Sequence, residues 1–258
     1  MNYFIEGLQG SGKSTLVNKV SGKYAQYRVF REGDYSPVEL AWCAYATREK
    51  YAEILDKYRD LCHDIEEKSH EEGDRIIICY TQILTDTPGF HKDLEQYEIY
   101  NNRMGFDEWK AVLLKRYRNW NTDGNIFECS LFQNIVEDMI LFRNVSDREI
   151  IEFYKEIRDA LQNKDFRILY LMTEDIEANI GVIRKERSDD QGNELWYPLM
   201  IGYFNDSPYA LKNGVSGDKA LLAHLKHRQE LELKICEEVF PERYTILKSK
   251  EYSDDELF

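Results

Sequence analysis

Residues 7–14 read Gly-Leu-Gln-Gly-Ser-Gly-Lys-Ser, and no other stretch restricts the fold as sharply. Its three glycines let the backbone take positive φ and bring amides close to a ligand with no Cβ in the way. The spacing Gly7-x-x-x-x-Gly12-Lys13-Ser14 fits G-x-x-x-x-G-K-[ST], a pattern that needs a strand before it and a helix after it. Both are legible: "NYFIE" reads as a short buried strand, and Leu16, Val17 and Val20 share one helical face that closes at Ser21-Gly22. A turn of this kind presents amides at a helix N-terminus as an anion nest. Lys13 adds a charge for the β- and γ-phosphates, Ser14 a hydroxyl for Mg²⁺, and Thr15 a donor for the α-phosphate. Gly7, Gln9, Gly10, Ser11, Gly12, Lys13, Ser14 and Thr15 are therefore the expected contacts to a nucleoside triphosphate.

Apolar runs and helical periodicity alternate along the rest of the chain. "QYRVFRE" reads as a second strand, and about 38–68 reads as helical, with Ile54, Leu55, Tyr58, Leu61, Cys62 and Ile65 on one stripe. "RIIICYTQIL" is a strand candidate, followed by helices over about 92–100 and 106–120. "NIFECS" is a strand ending at Glu128, and a helix carries Leu131, Phe132, Ile135, Val136, Met139 and Ile140. Ser146 and Glu149 form a capping box for the next helix. "FRILYLM", a helix from about 176, a polar stretch over 188–218, a helix over about 219–239 and "RYTIL" complete the pattern. Such alternation predicts a parallel sheet of about five strands with helices on both faces. With no repeat, linker or low-complexity segment, residues 1–258 read as one domain.

Composition narrows the function classes. A net charge of −14 lacks the basic footprint of a general nucleic-acid binder, so an anionic ligand must be met by local cations, Mg²⁺ or amides. Five cysteines (Cys43, Cys62, Cys79, Cys129, Cys236) show no metal-ligand spacing and read as reduced thiols. No run approaches a membrane span, and "MNYFIEG" has no secretory character, so a cytoplasmic protein is expected. Guanine-specific GTPases carry N-K-x-D, but the pairs Asn18-Lys19 and Asn163-Lys164 do not continue to it, and no LSGGQ-like transporter signature occurs.

Three further segments make the chain resemble the deoxynucleoside kinase and thymidylate kinase group of P-loop kinases, over roughly 1–45 and 125–247. In "REGDYSPVELAW" (31–42), Pro37-Val38-x-x-Trp42 match the family's P-V-x-x-W. The resemblance implies a carboxylate base here, but Ser36 stands where the family has Glu; Asp34 is preferred and Glu32 is the alternative. "IFECS" (126–130) resembles a strand ending in E-R-S, which implies that Glu128 joins Ser14 at Mg²⁺. Cys129 takes the arginine's place, leaving Arg103, Arg116 and Arg118 as unranked substitutes. "GVIRKERSDD" matches an R-x-x-R lid through Arg184 and Arg187, with the lid over about 184–218. The resemblance lapses over about 60–122, read as a mostly helical acceptor-side insertion.

The resemblance implies a P-loop NTPase three-layer α/β fold with a lid, and a kinase using ATP and Mg²⁺. Lys13, Asp34 or Glu32, Arg184 and Arg187 would carry catalysis, toward a nucleoside or nucleotide acceptor. A kinase of an antibiotic or other metabolite hydroxyl, and a nucleotide-binding regulator, stay open beside it. So do the donor base and the oligomeric state, a homodimer being the family's habit.

Overall fold

Strand–helix alternation resolves into two sheets of different kinds. The computed structural model describes residues 1–253. Its strands are β1 (Asn2–Gly7), β2 (Arg28–Phe30), β3 (Ala44–Thr47), β4 (Ser69–Glu72), β5 (Arg75–Ile78), β6 (Asn125–Glu128), β7 (Phe166–Met172) and β8 (Tyr244–Lys248). Helices α1 (Lys13–Lys23), α2 (Arg48–Lys57), α3 (Cys62–Glu67), α4 (Phe90–Glu95) and α5 (Phe106–Asn119) come first. They are followed by α6 (Gln133–Glu137), α7 (Asp147–Ala160), α8 (Ile176–Glu186), α9 (Trp196–Asn205), α10 (Pro208–Asn213) and α11 (Gly217–Val239). Contacts group Met1–Val29 with the chain from Thr122 onward as one compact unit, and Phe30–Asn121 as another.

The first unit carries the sheet β2-β6-β1-β7-β8. β1 pairs in parallel with β6 (Ile5 opposite Glu128) and with β7 (Ile5 opposite Leu169), and β7 pairs in parallel with β8. All six residues of β1 are buried because both faces are covered. Tyr3 and Ile5 point to one side and pack with Leu16, Val17 and Val20 of α1. Phe4 points to the other, stacking on Phe127 and meeting Phe166 edge-on. On that side Tyr154 of α7 lies against Phe132, and Glu232 of α11 accepts a hydrogen bond from Tyr170 at 2.6 Å. This is the expected three-layer α/β arrangement. The chain winds outward from β1 in both directions, so the carboxyl end of β1 is a topological switch point, where open α/β sheets bind ligands. The polar stretch after α8 is largely helical, holding α9 and α10.

The second unit holds the antiparallel sheet β3-β5-β4, with Ala44 opposite Ile78 and Ser69 also opposite Ile78. It is therefore less helical than the sequence suggests over 60–122, and its contacts reach back to residue 30. The helical reading of 38–68 gives way at its start, because Ala44 and Ala46 are buried against Ile76 and Ile78 in β5. Helix α2 begins only at Arg48, where the Thr47 side chain accepts from the Lys50 amide at 3.1 Å. Beyond it, Ile54, Tyr58 and Ile65 fill the core of this unit with Phe90 and Leu94.

Candidate phosphate-binding site

In the first unit the glycine-rich turn leaves the carboxyl end of β1 and enters α1, with Gly7, Gly10 and Gly12 at φ 138°, 73° and 95°. Two of these positions are closed to any side chain. A Cβ on Gly7 would lie 2.6 Å from the Leu171 carbonyl oxygen, and one on Gly10 would lie 2.1 Å from Ile183 Cδ1. Gly12 caps α1, whose first turn holds no acidic side chain, so its amides keep their affinity for an anion. The Lys13 ammonium folds over the turn and donates to the carbonyls of Gly7 and Leu8, both at 2.8 Å. The Ser11 hydroxyl is buried there with no hydrogen-bond partner.

The two residues expected at Mg²⁺ are brought together, with Ser14 Oγ donating to Glu128 Oε1 at 2.6 Å. Their hard oxygens suit a cation that takes few protein ligands and keeps water and phosphate oxygens for the rest. Among the described residues, no cluster of three His, Cys, Asp or Glu offers a fuller metal cage. Cys129, which follows Glu128, sits at φ 58° and donates its amide to Ile5 O at 3.1 Å. Buried Glu6, just before the turn, accepts from the amides of Leu131 and Gln133 at 2.7 and 3.4 Å. Burial pushes its carboxyl up to about 8 against the pull of the Leu131 amide and Lys13, so it is neutral at pH 7.

Other residues grip the turn without belonging to any motif. Fully buried Arg228 of α11 donates to Gln9 Oε1 at 2.8 Å and to Glu137 Oε2 at 2.5 Å. Burial would raise Glu137, but Arg228 and His224 together hold it near 2. Asn179 of α8 donates to Gln9 O at 2.9 Å, and Ser249, just past β8, donates to Ser11 O at 2.8 Å. Sequence reading misses them because "HLKHRQELELK" looks like a solvated charged face, and single Asn and Ser residues carry no pattern.

The expected lid arginines are both engaged within their own segment. Arg184 forms a fork with Glu194 at 2.7 and 3.0 Å and lies 4.1 Å from the Tyr197 ring centroid. Arg187 lies 4.7 Å from the Trp196 ring centroid. Asn179 and Ile183, which touch the turn, and Arg187 recur every four residues along one face of α8 and its end, whereas Arg184 is off that face.

In the second unit Asp34 is tied into its own loop: Oδ2 accepts from the Arg31 amide and Oδ1 from Gln82 Nε2, both at 2.7 Å. Glu32 is exposed and accepts from Trp42 Nε1 at 2.9 Å. Trp42 itself is 45% exposed and held at φ 63°, a backbone state that an aromatic residue rarely adopts. Ser36, at the family's Glu position, is buried, and its hydroxyl accepts from the Val38 and Glu39 amides at 3.3 and 3.4 Å. Arg116 is buried and donates to Glu72 and to Ser36 O, while Arg103 pairs with Glu95 and Glu98, so both are spent on this unit. Arg118 is exposed.

All five cysteines are free thiols, and no helix among the described residues is long and apolar enough to cross a membrane. No protein-family model matches the chain, and no curated protein matches it. Among solved structures, the chain is similar to deoxyadenosine kinase from M. mycoides with bound dATP, at 16% identity over 100% of this chain and 95% of that one, with a TM-score of 0.38.

Proposed function

We propose that the protein is an ATP- and Mg²⁺-dependent phosphotransferase that moves the γ-phosphoryl to a small-molecule acceptor, a nucleoside or nucleotide. One observation carries this reading: a glycine turn at the carboxyl end of β1 delivers Lys13, uncapped α1 amides and the Ser14–Glu128 pair to one place. Phosphoryl transfer asks little covalent chemistry of a protein, so positioning and charge neutralisation suffice. The turn amides and Lys13 bind and orient the phosphates. Ser14 and Glu128 would hold Mg²⁺, which would supply charge neutralisation at the phosphate oxygens. Arg187, on the face of α8 that meets the turn, is the better placed of the two lid arginines. Arg184 would have to leave Glu194 to take part. For the acceptor hydroxyl, Glu32 is favoured over Asp34 because Glu32 is exposed whereas Asp34 is half-buried and accepts through both oxygens.

The test is turnover with γ-labelled ATP, Mg²⁺ and a panel of nucleosides, nucleotides and non-nucleoside alcohols. Label should appear on a nucleoside or nucleotide, Lys13→Ala should abolish it, and Glu32→Gln should reduce it at least about 100-fold. Label on non-nucleoside alcohols alone overturns the acceptor class. Slow phosphate release with no labelled acceptor overturns the kinase reading in favour of a nucleotide-binding regulator.

A further inference from the structure

The turn that follows β8 lies against the phosphate-binding turn, and none of the motifs uses it. Ser249 donates its amide to the end of β7 (Met172 O, 2.9 Å) and its hydroxyl to Ser11 O at 2.8 Å. The next residue, Lys250, stands at φ 65° and runs its stem over Gly12: a Cβ placed on Gly12 would meet Lys250 Cγ at 3.7 Å. Its ammonium donates to Asn179 Oδ1 at 3.3 Å, the same Asn179 whose amide holds Gln9 O. Three segments of the first unit, the glycine turn, α8 and the post-β8 turn, thus converge on one edge of the anion nest.

Glu128 is held by Ser14, and both lysines at this edge meet neutral oxygens, Lys13 those of Gly7 and Leu8 and Lys250 that of Asn179. The α1 N-terminus carries positive partial charge, Lys13 is one residue beyond Gly12, and the first turn of α1 contains no acid. Placing another ammonium beside them is unfavourable in a chain with 48 acidic side chains, where a carboxylate partner would be easy to provide. Asn179 meets that ammonium with a neutral oxygen, a weaker acceptor that an anion can displace. We infer that Lys250 is a second cation for the bound polyphosphate, presented by the post-β8 turn and held ready by Asn179. The inference rests on the phosphate-binding reading of the turn. It also offers a source for the charge that the resemblance places at Cys129.

The experiment is calorimetric binding of ATP, ADP and adenosine, with Mg²⁺, to the full chain and to Lys250→Ala, Lys250→Gln, Lys250→Arg and Lys13→Ala. Loss of one charge-assisted contact should weaken ATP about ten-fold in Lys250→Ala and Lys250→Gln, with adenosine unchanged and Lys250→Arg near the parent. The deficit should shrink at high salt, as an ionic contact requires. If both neutral variants bind ATP like the parent while Lys13→Ala does not, Lys250 is a surface lysine and the inference falls alone. An equal loss for ATP and adenosine makes Lys250 a prop of the turn, which also overturns it. If Lys13→Ala binds ATP like the parent, the phosphate reading of the turn falls first and takes Lys250 with it.

Discussion

Each unit pins its candidate loop with a buried arginine, and the two do so differently. Arg228 has no exposed surface and reaches the Gln9 side chain, and the α1 N-terminus beyond it carries no side-chain cap. Arg116 holds a main-chain oxygen, Ser36 O, in a loop where Asp34 accepts from the Arg31 amide and Gln82, and the Ser36 hydroxyl from the Val38 amide. The first loop is held through its carbonyls and the Gln9 side chain while the α1 N-terminus stays without a side-chain cap, whereas the second uses its polar groups on its own shape. A loop of the first kind can be recognised from a motif. In the second kind the residue that acts must be found by asking which polar groups reach solvent, as exposed Glu32 does.

The largest effect that would break this contrast is Arg228→Met. Leaving Glu137 charged and buried should cost about 3–5 kcal/mol. Arg116→Met should cost less, because its partner Glu72 is 25% exposed. Thermal unfolding monitored by circular dichroism checks the ranking, and equal losses would remove the distinction.

Next comes Glu128→Gln. If Glu128 acts through Ser14 on Mg²⁺, the half-saturating Mg²⁺ concentration should rise about 10–100-fold with the fold intact. A melting shift without a change in Mg²⁺ dependence would make the pair structural.

The pH dependence follows, and both units share it. Burial raises Glu6 and Glu39 from an ordinary 4.5 to about 8, so folding holds a proton on each. Their stabilisation is full below pH 4.5 and is lost as pH rises toward 8, at about 1.4 kcal/mol per pH unit for each group. Melting temperatures between pH 5 and 9 should fall accordingly. Glu6→Gln and Glu39→Gln should each flatten the slope. A slope unchanged in Glu6→Gln alone would mean that only the second unit holds its proton.

Smallest is Asp34→Asn, which weakens two loop hydrogen bonds and should cost about 1 kcal/mol of stability. Turnover lost with no change in melting would instead make Asp34 the acting acid and sharpen the choice against Glu32.

How much was legible depends on how local each cause is. The capping box at Ser146–Glu149 forms as read, because Ser and Glu three residues apart satisfy amides of their own helix. The helical reading over 38–47 failed, since Ala44 and Ala46 are strand residues only by virtue of Ile76 and Ile78, some thirty positions away. Arg228 gave no signal because a buried cation and a solvated one look alike until the carboxylate across the core is known.

By itself, then, the sequence determined the glycine turn, its strand and helix, and the parallel order expected of alternating elements, because each follows from backbone freedom and short-range periodicity. Only the tertiary structure decided which charges face the turn. Arg228, Asn179 and Lys250 reach it from α11, α8 and the turn after β8, and such contacts depend on how distant segments pack rather than on any local spacing.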